Sequence, residues 1–180
     1  MTVDADPGRP RAEAPADVVR PARPGDLPRV WEMLLGLATY ERLRHAVTGS
    51  PERLAEHLFG PGSWLECLVA ASGAELTGYA LFYPTYSSFR TAPTLWLEDL
   101  FVEPARRGRG TGRALMEALA RLALERGYDG LDWDVLDWNR PSIAFYEKLG
   151  ARPAGSAWLE YGLDREGLRA LAPPAAGRAG

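Results

Sequence analysis

The chain has 180 residues, a formal net charge of −3, one cysteine and two histidines. That length suits a single domain with ample core, and the charge leaves no overall basic footprint for nucleic acid. No apolar run approaches a membrane span, the N-terminus lacks an apolar signal core, and Cys67 alone excludes an internal disulfide or a cysteine-cluster metal site. A cytoplasmic protein without a membrane or nucleic-acid partner is expected. Residues 1–16 and 172–180 are rich in Pro, Ala and Gly without apolar period and read as disordered tails around one domain at 17–171. A strand begins at Val18–Arg20. Asp26 is placed to cap a helix with Leu27, Val30, Trp31, Leu34, Leu35 and Ala38 on one face, and Ser50-Pro51-Glu52 starts a second helix reaching Leu58. Trp64–Ala71 and Glu75–Tyr83 form a hairpin over Ser72-Gly73, and Leu95–Val102 is the next strand. A helix over Ala114–Arg126, a strand over Gly130–Leu136, a short helix over Pro141–Leu149 and a last strand over Ala157–Leu163 follow. Hairpins first and a βαβα unit later give a mixed α/β fold with helices on both faces of its sheet. Cys67 lies in an apolar run and reads as a buried, inert thiol, whereas His45 and His57 sit in polar surroundings and read as surface residues.

The segment Arg106-Arg107-Gly108-Arg109-Gly110-Thr111-Gly112-Arg113 joins a strand to a helix. Glycines admit a ligand close to the backbone, and the first N–H groups of a helix lack internal partners, so this turn can cradle a pyrophosphate. A P-loop requires Gly-Lys-Ser/Thr at its end, yet Gly112 precedes Arg113 and Ala114, and the only lysine is Lys148. A dinucleotide fingerprint requires G-x-G-x-x-G, and the spacing of Gly108, Gly110 and Gly112 is G-x-G-x-G. Arg107-x-x-Gly110-x-Gly112 instead resembles the R-x-x-G-x-G/A signature of GNAT-superfamily N-acetyltransferases, which implies acetyl-CoA as cofactor.

Two further clusters carry chemistry. Glu98 and Asp99 interrupt the apolar strand Leu97–Val102. Burying a carboxylate is costly unless it is paired or used. Strand alternation puts the two on opposite faces, so they are not expected to share one site: Asp99 reads as a capped or salt-bridged structural acid, Glu98 as the functional one. Downstream, Asn139 ends a strand and Pro141-Ser142 opens a helix on which Ile143, Tyr146 and Leu149 point one way. Tyr146 taken alone reads as a core aromatic with its hydroxyl tied off.

Leu97–Val102, Arg107–Arg113 and Val135–Ala151 together, in content and spacing, resemble the diamine acetyltransferases, the spermidine/spermine-type and thialysine-type branch of the GNAT superfamily. The likeness extends over residues 18–171. It implies a GNAT fold with a mostly antiparallel twisted sheet, acetyl transfer from acetyl-CoA to a primary amine of a small cationic acceptor, no metal, and a homodimer. By position, it implies that backbone N–H groups of Leu100, Phe101 and Val102 meet the acetyl carbonyl and pantetheine. Arg107, Gly108, Arg109, Gly110, Thr111, Gly112 and Arg113 would form the pyrophosphate loop, with Asn139, Ser142, Tyr146 and Lys148 also at the cofactor. Tyr146 would be the general acid and Glu98 the acid that meets the amine. Tyr40 and Glu41 would recognise the amine chain, although Glu41 could instead pair with Arg44 or His45. Asp132, Trp133 and Asp134 would line the substrate channel. The acid that the polyamine branch carries before a Gly-Trp is missing from Ala154–Trp158. Protein N-terminal or lysine acetylation and a non-catalytic acetyl-CoA-binding module are the alternatives, and the presence of Glu98 and Tyr146 counts against the second.

Overall fold

A computed structural model of the chain describes residues 17–153 and 163–171. Five strands form one sheet in chain order: β1 (Val18–Pro21), β2 (Glu66–Ser72), β3 (Glu75–Ser87), β4 (Ala92–Val102) and β5 (Leu131–Trp133). The first four pair antiparallel, and β5 joins β4 in parallel. The expected mixed, mostly antiparallel sheet flanked by helices is therefore present. The helices are α1 (Leu27–Tyr40), α2 (Pro51–Phe59), α3 (Thr111–Glu125), α4 (Arg140–Lys148) and α5 (Arg165–Leu171). The chain divides into two compact units, Met1–Arg140 with the sheet, and Pro141–Gly180 with the body of α4 and with α5.

Alternation along the strands sorts the core of the first unit into two layers. Cys67, Val69, Tyr79, Leu81 and Phe101 pack with Val30 and Met33 of α1 and Leu54 and Leu58 of α2. The intervening Leu68, Ala70, Ala80, Phe82 and Leu97 are also buried but lie outside that cluster, as do Leu115, Leu119 and Ala123 of α3. α1 and α2 thus cover one face and α3 the other. Gly36 lets α1 come down on β4, since a Cβ there would stand 3.2 Å from Cζ of Phe101.

Several expectations are refined. Asp26 stands before α1, yet its carboxylate does not cap that helix; it binds the guanidinium of Arg20 at 2.6 and 2.9 Å and accepts from the Arg23 amide. Ser50 does cap α2, its hydroxyl accepting from the Arg53 amide at 3.4 Å. β3 and β4 are longer than their apolar cores and form a second hairpin across polar residues, pairing as far as Ser87 with Ala92. β5 stops at Trp133, short of the expected Leu136. The strand expected over Ala157–Leu163 lies outside the described residues except for Leu163, which is in no strand, and both expected tails lie outside them as well.

Candidate active site

The cofactor-type turn is built as its glycines require. Gly108 and Gly110 have φ of +74° and +92°, a region that L side chains avoid, and Gly110 is the N-cap of α3. No side chain caps this helix end, so its leading amides depend on an outside acceptor. The Thr111 hydroxyl donates to the Asp17 carboxylate. Three of the arginines are committed locally: Arg106 to Glu75, Arg113 to Glu117 at i+4, and Arg107 through its Nε to the Val102 carbonyl at 3.0 Å. Arg109 is exposed and has no ion-pair partner among the described residues.

Beside this turn, β4 outruns its parallel neighbour. The two strands pair at Leu95↔Leu131, Trp96↔Asp132 and Leu97↔Trp133, and β5 then ends, leaving Glu98–Val102 without a β5 partner. The Glu103 amide donates to Thr77 on β3, so by alternation the N–H groups of Leu100 and Val102 aim the other way, into the gap. That of Phe101 points to β3. Two of the three expected amides therefore face away from β3, on the side where β5 has ended.

The acidic pair departs from the expected alternation. On β3, Leu81 and Phe82 are consecutive, but on β4 they oppose Asp99 and Leu97, two apart. Glu98 is the extra residue of a β-bulge. Asp99 stays on the α1 face, where its carboxylate accepts from the Tyr79 hydroxyl at 3.0 Å. Glu98 accepts from the Tyr83 hydroxyl at 3.3 Å and from Trp96 Nε1 at 3.1 Å, and Tyr83 packs against the same cluster. Both carboxylates thus occupy one face, which corrects the expectation that they cannot share a site. Of the two expectations for Asp99, capped or salt-bridged, no salt bridge is found among the described residues, and its carboxylate is held by the Tyr79 hydroxyl. Its pKa is pushed up to about 6, mainly by burial and further by the charges of Glu98 and Glu41, while the Tyr79 hydroxyl opposes the shift.

Glu41 ends α1 on this face and is half-buried, with burial raising its pKa. No ion pair joins it to Arg44 or His45, so the surface-pair alternative is not realised among the described residues. The neighbouring Tyr40 hydroxyl donates to Asn139 Oδ1 at 2.9 Å, which ties the end of α1 to the buried amide after β5. The guanidinium of Arg107 lies 5.0 Å from the Tyr40 ring and 5.7 Å from that of Phe101. Of the acids expected to line a substrate channel, Asp132 pairs with Arg90 at 2.9 and 3.2 Å, and Asp134 is exposed beyond the end of β5. Arg90 was not singled out from sequence, and only the 3D placement of the β3–β4 hairpin reveals it. Trp133 belongs to β5, while Ser142, Tyr146 and Lys148 are carried by α4.

His45 and His57 are exposed as expected. Cys67 is buried, its thiol pushed up to about 12 by burial and then by the charges of Asp99 and Asp26. Among the described residues no group of three His, Cys, Asp or Glu side chains could hold a metal ion, and no helix is long and apolar enough to cross a membrane.

Comparison with known proteins gives consistent findings. Residues 31–151 match the acetyltransferase (GNAT) family. Thialysine N-epsilon-acetyltransferase from Sus scrofa is 34% identical over 165 residues, spanning 86% of this chain and 96% of that protein. L-ornithine N5-acetyltransferase from Arabidopsis thaliana is 26% identical over 179 residues, spanning 74% of this chain and 78% of its own length. Among solved structures, an integron cassette protein from the mobile metagenome of V. cholerae shares the fold with a TM-score of 0.70 at 23% identity, covering 88% of this chain and 98% of that one.

Proposed function

Because the chain belongs to the acetyltransferase (GNAT) family, we propose that it moves an acetyl group from acetyl-CoA to the primary amine of a small cationic acceptor, of the diamine, polyamine or lysine-analogue class. The observation that carries this reading is the juxtaposition at the end of β4. An uncapped, glycine-led helix start and two outward amides adjoin a sheet face that bears Glu98 and Asp99, with Glu41 at the end of α1 over it and no paired cation on the three among the described residues. Relatives named for thialysine and ornithine act on amines that carry a second charged group, and an acidic face suits such acceptors.

The donor set fits acetyl-CoA. The amides of α3's first turn, with Arg109, suit a pyrophosphate, and the β4 gap suits an extended amide-bearing chain. Bound there, acetyl-CoA supplies the acetyl group as an activated thioester. The roles of the chain's own residues follow from acid–base chemistry. An alkylamine with a pKa of roughly 10 arrives protonated and cannot attack until it loses a proton. Glu98 attracts the ammonium and accepts that proton, directly or through water. The Leu100 and Val102 amides stabilise charge developing on the acetyl oxygen. The new N–C bond forms as the C–S bond breaks; Tyr146 gives the departing sulfur its proton, and the surplus proton left on the nitrogen returns through water to the Tyr146 phenolate. Asn139 and Ser142 hold the cofactor, with Lys148 near its phosphates. Tyr40 and Glu41 meet the far end of the amine. Location in the cytoplasm and assembly as a homodimer belong to the same reading.

The test is acetyl-CoA consumption with a panel of small amines. Lysine analogues and diamines should outpace monoamines of similar length, and the advantage should shrink with added salt, because screening weakens the second charge. Glu98→Gln should lower the rate with every amine and move its pH profile upward, since more free base must then come from solution. Best activity with neutral or anionic amines, together with a fully active Glu98→Gln variant, would remove both the acceptor class and the role of Glu98.

A further inference from the structure

We propose that Arg42 and Trp138 are positioning residues that clamp Tyr40 against Asn139 and so fix the end of α1 beside the cofactor gap. The proposal rests on the reading of Tyr40 and Glu41 as acceptor contacts. It starts from a backbone outlier. α1 closes with the Arg42 amide donating to Thr39 at 3.1 Å and the Leu43 amide donating to Ala38 at 2.8 Å. In this helix-ending motif the residue at the Arg42 position is left-handed and is ordinarily glycine. Here it is an arginine at φ +63°. A side chain in that region is strained, and such strain persists where the surroundings compensate it.

The compensation is visible. The Arg42 guanidinium lies 5.4 Å from the centroid of the Trp138 ring, in range of a cation–π contact. Trp138 in turn meets Tyr40 at 6.0 Å between centroids. Tyr40 is flanked by Arg107 and bonded to Asn139. Arg42, Trp138, Tyr40, Arg107 and Phe101 form one continuous stack that runs from the end of α1 to the glycine turn, wholly within the Met1–Arg140 unit. Trp138 directly precedes Asn139, so holding its ring also orients that amide. The stack contains no group that exchanges a proton with substrate. Its contribution is to limit where Tyr40 and Glu41 can sit relative to Leu100 and Val102.

Arg42→Gly separates this from a plain capping role, because glycine relieves the backbone strain while deleting the clamp. A plain cap predicts an equal or higher melting temperature and no other change. The clamp predicts an equal or higher melting temperature together with a roughly two- to fivefold rise in KM for the amine, the size expected for losing one exposed cation–π contact. Amide hydrogen exchange across residues 134–139 should quicken. Arg42→Lys keeps the cation and should restore most of the amine KM. Wild-type KM and wild-type exchange in Arg42→Gly would overturn the proposal. If the unmodified protein acetylates no amine, the functional reading fails, and exchange alone decides the clamp: faster exchange at 134–139 supports it, and unchanged exchange rejects it.

Discussion

A carboxylate held half-buried beside other acids, with a phenol as its one hydrogen-bond partner among the described residues, costs stability, and Asp99 is such a group. Its pKa rises from 3.8 to about 6 on folding, so the folded chain binds the proton more tightly than the unfolded chain. Linkage then fixes the sign: the penalty is fully present above about pH 6 and fades as pH falls toward the unfolded value near 4. Asp99→Asn keeps an acceptor for Tyr79 and removes the charge. It should therefore stabilise the protein by on the order of 2–3 kcal/mol at pH 8 and by little at pH 4, read from denaturant melts at both pH values. An equal gain at both pH values would show that the carboxylate is not desolvated as described. Tyr146 is the proposed proton donor. Tyr146→Phe keeps the ring and loses the proton, so kcat should fall by about 10²–10⁴-fold while calorimetric acetyl-CoA affinity barely moves. Normal turnover in that variant would assign the thiolate's proton to another donor.

Among the elements, α3 depends most on its first turn. Gly110 leads it at φ +92° with no side-chain cap, so the helix dipole and its open amides point outward together. Gly110→Val forces a β-branched side chain into that conformation and places carbon where an anion would approach. CoA should bind roughly tenfold more weakly or worse in a variant whose circular dichroism shows it folded, and undiminished affinity would take the turn out of the cofactor site. This turn was legible in the sequence because glycine spacing between a strand and a helix is a local signal. So was the face of α1, although Met33 packs inward more fully than the expected Leu35. The β-bulge was not legible. It depends on β4 pairing with a distant part of the chain, and strict alternation placed Glu98 and Asp99 on opposite faces when the bulge brings them together. The Arg90–Asp132 pair was hidden for the same reason, since the two positions meet only when β5 adds to β4. The polar residues beyond Tyr83 carried no apolar period, and their extended hairpin is set by pairing rather than by burial.

For the molecule as a whole, sheet order and chain order coincide. Each antiparallel strand finds its partner in the strand just before it, while β5 must wait for the turn and α3. At synthesis rates of roughly 5–20 residues per second, the 28 residues between Val102 and Leu131 take about 1.5–6 s to appear, against microseconds for a hairpin to close. During that interval β4 is the outermost strand of a nascent sheet, an open edge on which a second growing chain could pair. The edge reads Thr-Leu-Trp-Leu-Glu-Asp-Leu-Phe-Val from Thr94 to Val102, apolar but for its first residue and the two adjacent carboxylates at its middle. Like charges facing one another across such an edge repel. By this argument Glu98 and Asp99 act as gatekeepers against self-association of the unfinished sheet, with the same negative charge that is proposed to attract a cationic acceptor to the finished one.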